Sequence, residues 1–120
     1  MTDFTGIAQR YVEAWNETDA VKRQARIEEL FTADATYTDP LGAATGVAGI
    51  DGFIAAAQRQ YAGLRFSLGG VVDGHHDIAR FQWHLGPDGA PEPPAIGFDV
   101  IQVEDGRIAR VLGFLDKIPG

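Results

Sequence analysis

The amino-acid sequence predicts an α+β domain in which three N-terminal helices pack on a curved, mostly antiparallel sheet. In the first half of the chain apolar residues recur at helical spacing, whereas in the second half apolar and polar residues alternate as they do in strands. Helices that come before a run of strands favour this segregated arrangement over an alternating one. Because 120 residues is a common domain size, residues 1–120 are expected to form one domain.

The first two helices are predicted from apolar stripes that follow capping residues. Thr2 or Asp3 is a suitable N-cap for the first helix. Its apolar stripe consists of Phe4, Ile7, Ala8, Tyr11 and Trp15. The second helix is predicted over residues 18–31, because its apolar edge ends at Leu30 and Phe31 while charged residues cover its other side.

A short strand separates these two helices from the third. Residues 34–38 alternate in polarity, and Asp39-Pro40 ends the strand because proline lacks the N–H that a strand ladder requires. Three glycines indicate that residues 41–49 form a loop. The third helix follows this loop, and its apolar stripe consists of Ile50, Phe53, Ile54, Ala57 and Tyr61.

The second half of the chain is predicted to form a meander of four strands, over residues 64–73, 78–85, 95–103 and 108–115. The first two strands are joined through a turn at His75 and His76. The last two form a hairpin across Asp105-Gly106, a frequent hairpin turn. Residues 86–94 contain two glycines and four prolines, so they are expected to form an exposed connection.

The composition excludes several classes of function. The chain has no cysteine, which excludes disulfides, thiolate metal sites and thiol nucleophiles. A net charge of −7 repels polyanions, so neither nucleic acid nor an anionic membrane is an expected partner. The sequence has neither an apolar run of about 20 residues nor a leader-like N-terminus, so a soluble cytoplasmic protein is expected.

Sequence motifs for cofactors are also missing. The chain has no Gly-rich phosphate loop, GxSxG motif or HExxH motif, and no His/Asp/Glu cluster with the spacing of metal ligands. His75 and His76 are expected to be solvated at their turn, and His84 to lie on the polar side of its strand. We therefore expect neither a cofactor nor a metal, and a small hydrophobic molecule is the expected ligand.

Three polar residues occupy positions where burial is expected. Tyr11 lies on the apolar stripe of the first helix, and Asp39 closes the first strand. In the last strand but one, alternation places Asp99 on the same face as Ile101 and Val103. Ordinary structural roles stay open, with Tyr11 bonded to a carbonyl, Asp39 in a turn and Asp99 bonded to a neighbouring element. A buried carboxylate nevertheless needs a hydrogen bond or a proton.

Several segments resemble the ketosteroid isomerases, or steroid Δ-isomerases. Residues 9–16 (QRYVEAWN) and 30–42 (LFTADATYTDPLG) are similar to the first half of such an enzyme. Residues 46–53 resemble its glycine-led third helix, and residues 99–108 resemble its last hairpin. The LFxxDAxxxDPxG pattern also occurs broadly in the wider NTF2-like, or SnoaL-like, superfamily. The resemblance spans nearly the whole chain and implies a cystatin/NTF2-like cone, in which sheet and helices surround one apolar pocket.

This resemblance implies a role for each of the three polar residues. Asp39 would be the general base that removes a proton next to a ketone. Tyr11 and a protonated Asp99 would donate hydrogen bonds to the ketone oxygen, where negative charge develops. A carboxylic acid stays protonated only in apolar surroundings. The residues expected to bind substrate in that apolar wall are Trp15, Phe53, Phe66, Ile101 and Phe114, with Val103, Phe81 and Trp83 as further members.

Two other branches of the superfamily resemble the chain less well. Enzymes similar to limonene-epoxide hydrolase pair an arginine with an aspartate two residues later, but here Gly97 occupies the arginine position before Asp99. SnoaL-type polyketide cyclases carry an acid in the last strand, where this chain has Gly113. Asp116 could replace that acid only in a different register of the strand.

Three functions are compatible with these residues, so whether the protein is an enzyme stays open. The first is proton transfer α to a carbonyl on a steroid-like or other hydrophobic ketone. The second is binding of an apolar metabolite without conversion. The third is an interaction role, in which the exposed face of the sheet forms a homodimer and Phe81, Trp83 or Phe98 lies at the interface.

Overall fold

The computed structural model describes residues 2–87 and 92–118, and in this part of the chain three helices pack on a seven-stranded sheet. In chain order the elements are α1 (Phe4–Asn16), α2 (Ala20–Leu30), β1 (Phe31–Asp39), β2 (Gly42–Thr45), α3 (Gly46–Gln60), β3 (Arg65–Leu68), β4 (Asp73–His75), β5 (Ile78–Gly86), β6 (Ala95–Glu104) and β7 (Arg107–Lys117). This arrangement confirms the predicted α+β class.

The sheet is open and mostly antiparallel. Its strand order is β2-β1-β7-β6-β5-β3, and β4 pairs with β5 beyond the end of β3. The pair β1–β7 is parallel, while every other pair in the described chain is antiparallel. The register shifts once between β1 and β7 and twice between β6 and β7, and such bulges bend a sheet. The bent sheet curls around the helices as a cone.

An aspartate is the N-cap residue of each of the first two helices. The Asp3 carboxylate accepts a hydrogen bond from the Gly6 N–H, and the Asp19 carboxylate accepts one from the Lys22 N–H. The first helix therefore begins as predicted. The second ends at Leu30, not Phe31, because the chain passes directly into β1.

The predicted loop over residues 41–49 is wrong. A tight turn at Pro40-Leu41 leads into β2, which pairs back on β1, and α3 begins at Gly46. The Asp39 carboxylate holds the turn by accepting hydrogen bonds from the N–H groups of Leu41 and Gly42. Gly46 has a φ of +76°, a conformation that suits glycine and allows the strand to pass straight into the helix.

The predicted strand over residues 64–73 is also different, since it is two short strands, β3 and β4. Residues 69–72 between them belong to no strand. This segment begins with two glycines, which are disfavoured in strands. The remaining strands are paired as the predicted meander, with a turn at Asp105-Gly106. Of the predicted connection over residues 86–94, residues 88–91 lie outside the described residues.

Strand β6 alternates as predicted. Asp99, Ile101 and Val103 are buried on the inner face of the sheet, while Phe98 and Val100 are half-buried on the outer face. Among the described residues, no helix is both long and apolar enough to cross a bilayer. The homodimer stays a prediction. Of the three residues offered for the sheet face outside the cone, Phe81 and Trp83 face the inner side, and Phe98 lies on the outer face.

A buried polar cluster links all three helices. Arg23 is 6% exposed, and its Nε donates to the Asp51 carboxylate at 2.7 Å. Its guanidinium also donates to the Gln58 side-chain oxygen at 2.9 Å. The Gln58 amide in turn donates to the carbonyls of Trp15 and Glu17 at the end of α1. The cluster therefore satisfies backbone groups that the end of a helix leaves unpaired.

Replacing Arg23 with alanine is expected to destabilise the fold strongly. The Arg23→Ala variant leaves Asp51 and Gln58 without their donor, which should lower the free energy of unfolding by about 2–3 kcal/mol. Arg26→Ala is the matched control on the same helix, because Arg26 pairs with Glu13 and Glu17 while it is half-exposed, and the loss should stay below about 1 kcal/mol. Chemical denaturation measures both variants. Equal losses would contradict a structural role for the cluster.

Candidate functional site

An apolar cavity of about 70 Å³ lies between the helices and the inner face of the sheet. This volume is several times what one water molecule needs, so the interior is not filled solid. Seven aromatic residues line it: Tyr11, Trp15, Tyr37, Phe53, Tyr61, Phe66 and Trp83. The polar groups that reach it include the Tyr11 hydroxyl and the carboxyls of Asp39 and Asp99. Mostly apolar walls with a few polar groups are typical of sites for small molecules.

The Tyr11 hydroxyl donates a hydrogen bond to Oδ2 of Asp99 at 2.7 Å. Both residues are only 2% exposed, so this bond is made away from bulk water. Tyr11 comes from the apolar stripe of α1, and Asp99 comes from the inner face of β6. The Phe81 ring packs edge-on against the Tyr11 ring at 5.4 Å and supports it from the β5 side. The bond therefore joins the first helix to the centre of the sheet.

Burial raises the pKa of Asp99 from 3.8 to about 6. Hydrogen bonds from Tyr11 and Trp83 oppose this rise because they stabilise the carboxylate, whereas the negative charge of Asp39 adds to it. Asp99 therefore changes its protonation state close to neutral pH. A group with this pKa can act as either a proton donor or an acceptor in that range.

Tyr11 and Tyr37 stay protonated in the cavity. Burial raises the pKa of Tyr11 well above its usual value, and the negative charge of Asp99 raises it further. The pKa of Tyr37 is raised by the same two causes. Both hydroxyls are therefore neutral, and each donates a hydrogen bond to a different carboxylate.

Asp39 lies at the end of β1 and is held by three donors. Its Oδ1 accepts hydrogen bonds from the N–H groups of Leu41 and Gly42, at 2.8 and 3.1 Å. Its Oδ2 accepts one from the Tyr37 hydroxyl at 2.6 Å. Because a carboxylate oxygen has two lone pairs, Oδ2 keeps one acceptor position for a ligand.

Gly113 separates the two carboxylates on the inner face of the sheet. It is paired with Asp99 across β6 and β7, and it adjoins the end of β1. A Cβ atom added to Gly113 would lie 2.9 Å from Oδ1 of Asp99 and 3.2 Å from Cβ of Asp39. The absence of a side chain at this position therefore makes room for both acids. Asp116 is exposed and does not reach the cavity.

The space beside Gly97 is likewise filled by the side chain of a neighbouring residue. A Cβ atom added there would overlap the indole of Trp83, which covers the glycine from the paired position on β5. The indole of Trp83 lowers the pKa of Asp99. In place of a cationic partner on its own strand, Asp99 thus has a neutral indole nearby on the next strand.

The structure places some of the predicted substrate-binding residues differently. Trp15, Phe53 and Phe66 line the cavity, whereas Ile101 is fully buried in the core behind it. The placement of Phe114 in the pocket wall is wrong, since it is 56% exposed on the outer face. Strand alternation explains this error, because Gly113 and Leu115 face inward and the residue between them must face outward.

Sequence reasoning missed the role of Tyr37 and the position of Trp83 beside Asp99. Tyr37 comes two residues before Asp39 on the same strand, so alternation alone places both side chains on one face. The contact of Trp83 with Asp99 had no such signal, because it depends on pairing between β5 and β6 and on the empty space above Gly97. Tyr61 joins the wall from the end of α3.

Comparison with known proteins identifies one family along most of the chain. The sequence model of the SnoaL-like domain matches residues 8–111. A candidate isomerase of the SnoaL-like family from Agrobacterium tumefaciens is 42% identical, with a TM-score of 0.89 over 97% of this chain and 99% of its own. No match was found among curated proteins.

Two more distant structures share the fold alone. A candidate ketosteroid isomerase from Kribbella flavida is 21% identical, with a TM-score of 0.71 over 100% of this chain and 84% of its own. A candidate polyketide cyclase from Sinorhizobium meliloti is also 21% identical, with a TM-score of 0.71 over 90% of this chain and 93% of its own.

The raised pKa of Asp99 predicts a specific dependence of stability on pH. Because the folded protein binds this proton more tightly than the unfolded chain, the stability that Asp99 contributes is greatest below about pH 4 and is lost as the pH rises through about 6. The free energy of unfolding of the wild type, minus that of Asp99→Asn, should fall by roughly 3 kcal/mol across this range.

Chemical denaturation at a series of pH values measures this difference. The same subtraction with Asp116→Asn is the control, because that carboxylate is exposed, and it should give a flat line. Parallel curves for the wild type and Asp99→Asn would show that Asp99 has the same proton affinity in both states.

Proposed function

The chain belongs to the SnoaL-like domain family, and from that premise we propose that it transfers a proton at the carbon next to the carbonyl of a hydrophobic ketone. Asp39 acts as the base, and Tyr11 and Asp99 donate hydrogen bonds to the carbonyl oxygen. One observation carries the proposal: a buried Tyr11–Asp99 pair at 2.7 Å lines an apolar cavity that Asp39 also lines.

The reaction divides into two proton transfers at Asp39. Oδ2 removes a proton from the α-carbon, the C–H electron pair forms a carbon–carbon double bond, and the carbonyl π electrons move to the oxygen. In a β,γ-unsaturated ketone, Asp39 then returns the same proton to the γ-carbon and the carbonyl re-forms. The product is the conjugated isomer, and no oxidant or further reactant is consumed.

The environment of Asp99 supports its role as a donor. With a pKa of about 6, a fraction of Asp99 is protonated near neutral pH, and a ligand that expels water increases that fraction further. The buried Asp99 anion requires the hydrogen bond from the Tyr11 hydroxyl, whereas protonated, neutral Asp99 does not. Both hydroxyl groups can then turn to the oxygen of the ligand, where donors stabilise the developing charge.

The cavity and its mouth support a hydrophobic ligand. Leu41 and Ile118 line the cavity and are 65% and 64% exposed, so its apolar wall continues to the surface of the protein. The 42% identical protein from Agrobacterium tumefaciens, itself a candidate isomerase, supports the same class of chemistry.

A second function, binding of an apolar metabolite without conversion, is supported by one contact. The Tyr37 hydroxyl donates to Oδ2 of Asp39 at 2.6 Å, so the oxygen that would act as the base is already hydrogen-bonded. If this bond persists when a ligand enters, Asp39 holds the turn and does not accept a proton from the ligand.

Turnover of a β,γ-unsaturated ketosteroid tests the catalytic proposal. The absorbance of the conjugated enone reports the product, and Asp39→Asn should lower kcat by at least about 100-fold because the general base is lost. Tyr11→Phe should lower it by about 100-fold through loss of one oxyanion donor. Asp116→Asn removes the same charge from an exposed position and should retain the full rate.

Two results would decide against catalysis on this class of substrate. One is the absence of turnover by the wild type, and the other is an equal rate for the wild type and Asp39→Asn. If native mass spectrometry then shows a retained apolar molecule, the binding function is supported in its place.

A further inference from the structure

The indole N–H of Trp15 is a buried donor without an acceptor. Trp15 is 7% exposed and lines the cavity. Its Nε1 is the one buried side-chain nitrogen or oxygen that lacks a hydrogen-bond partner among the described residues. In folded proteins nearly all buried donors have a hydrogen-bond partner, and leaving one unpaired costs about 1–3 kcal/mol. The unpaired indole N–H of Trp15 therefore calls for an acceptor that enters with the ligand.

The indole is held by packing and lies beside the reactive end of the cavity. Its ring lies 5.3 Å from Phe66, 5.7 Å from Tyr37 and 6.1 Å from Tyr11, measured between ring centroids. These contacts restrict rotation of the indole toward another acceptor. The N–H lies beside the Tyr11 hydroxyl without meeting it in hydrogen-bonding geometry. A ligand oxygen that reaches Tyr11 therefore also approaches Trp15.

We propose that Trp15 is a third hydrogen-bond donor to the ligand oxygen and that it selects ligands with an oxygen acceptor at the buried end of an apolar ring system. The proposal rests on the function above for the position of that oxygen. An indole N–H can only donate, so a pure hydrocarbon would leave it unpaired. A carbonyl oxygen has two lone pairs and an enolate oxygen has three, so a third donor favours the charged intermediate over the ketone.

Trp83 provides an internal comparison. Its indole also lines the cavity, but it lies over Gly97 on the paired strand, whereas the Trp15 indole lies beside Tyr11. The chain contains two tryptophans, so an amide and indole NMR spectrum of the ¹⁵N-labelled protein has two indole signals, which Trp15→Phe or Trp83→Phe assigns. The two signals therefore report on two different parts of one cavity, one beside Tyr11 and one over Gly97.

The probes are 1-tetralone and tetralin, which share a bicyclic carbon skeleton and differ in the carbonyl oxygen. Titration of the wild type with 1-tetralone should move the Trp15 indole proton downfield, as formation of a hydrogen bond does, while tetralin should not. The wild type should bind 1-tetralone more tightly than tetralin, and Trp15→Phe should reduce this preference by about threefold to tenfold, the value of one hydrogen bond.

Three results would overturn the proposal. These are no binding of 1-tetralone at millimolar concentration, a Trp15 signal that responds equally to both probes, and an unchanged preference in Trp15→Phe. Should Trp15→Phe fail to fold, titration of the wild type decides alone, with the signals assigned through Trp83→Phe. Binding of these probes does not depend on turnover, so a failed isomerase assay leaves this test intact.

Discussion

The hydrogen bond between Tyr11 and Asp99 is the interaction on which the rest of the site depends. A carboxyl group that is 2% exposed must be paired or protonated, and Tyr11 supplies its partner from a helix 88 residues away in sequence. That bond fixes how α1 lies on the sheet. It also leaves Asp99 poised between its charged and neutral forms, because burial and hydrogen bonding act in opposite directions on its pKa.

Local surroundings give the two carboxylates of the cavity different roles. Asp39 terminates β1, where two backbone N–H groups and the Tyr37 hydroxyl hold it. Asp99 lies in the middle of β6, and its carboxyl accepts a hydrogen bond from the Tyr11 side chain. Gly113 allows both acids onto one face of the sheet, since any side chain there would contact them both. The pair thus combines a carboxylate at the rim with a group that gains and loses its proton near neutral pH.

Much of this arrangement could be predicted from periodicity. The apolar stripe of α1 predicted that Tyr11 is buried, and the alternation in β6 predicted the same for Asp99. Contacts that depend on pairing between strands could not be predicted in the same way. The indole of Trp83 covers Gly97 only because β5 and β6 are in one particular register. The error at Phe114 is of another kind, because alternation with the inward-facing Gly113 already places Phe114 on the outer face. Strand β2 after Asp39 was missed, since the glycines of residues 41–49 favour a loop as readily as a hairpin.

The most direct test of the central interaction is a double-mutant cycle on the free energy of unfolding at pH 8, where Asp99 is ionised. The cycle compares the wild type with Tyr11→Phe, Asp99→Asn and the double variant. A buried hydrogen bond to a charged group predicts a coupling of about 1.5–3 kcal/mol between the two positions. Losses that add within about 0.5 kcal/mol would contradict the account, because they would show that Tyr11 and Asp99 stabilise the protein independently.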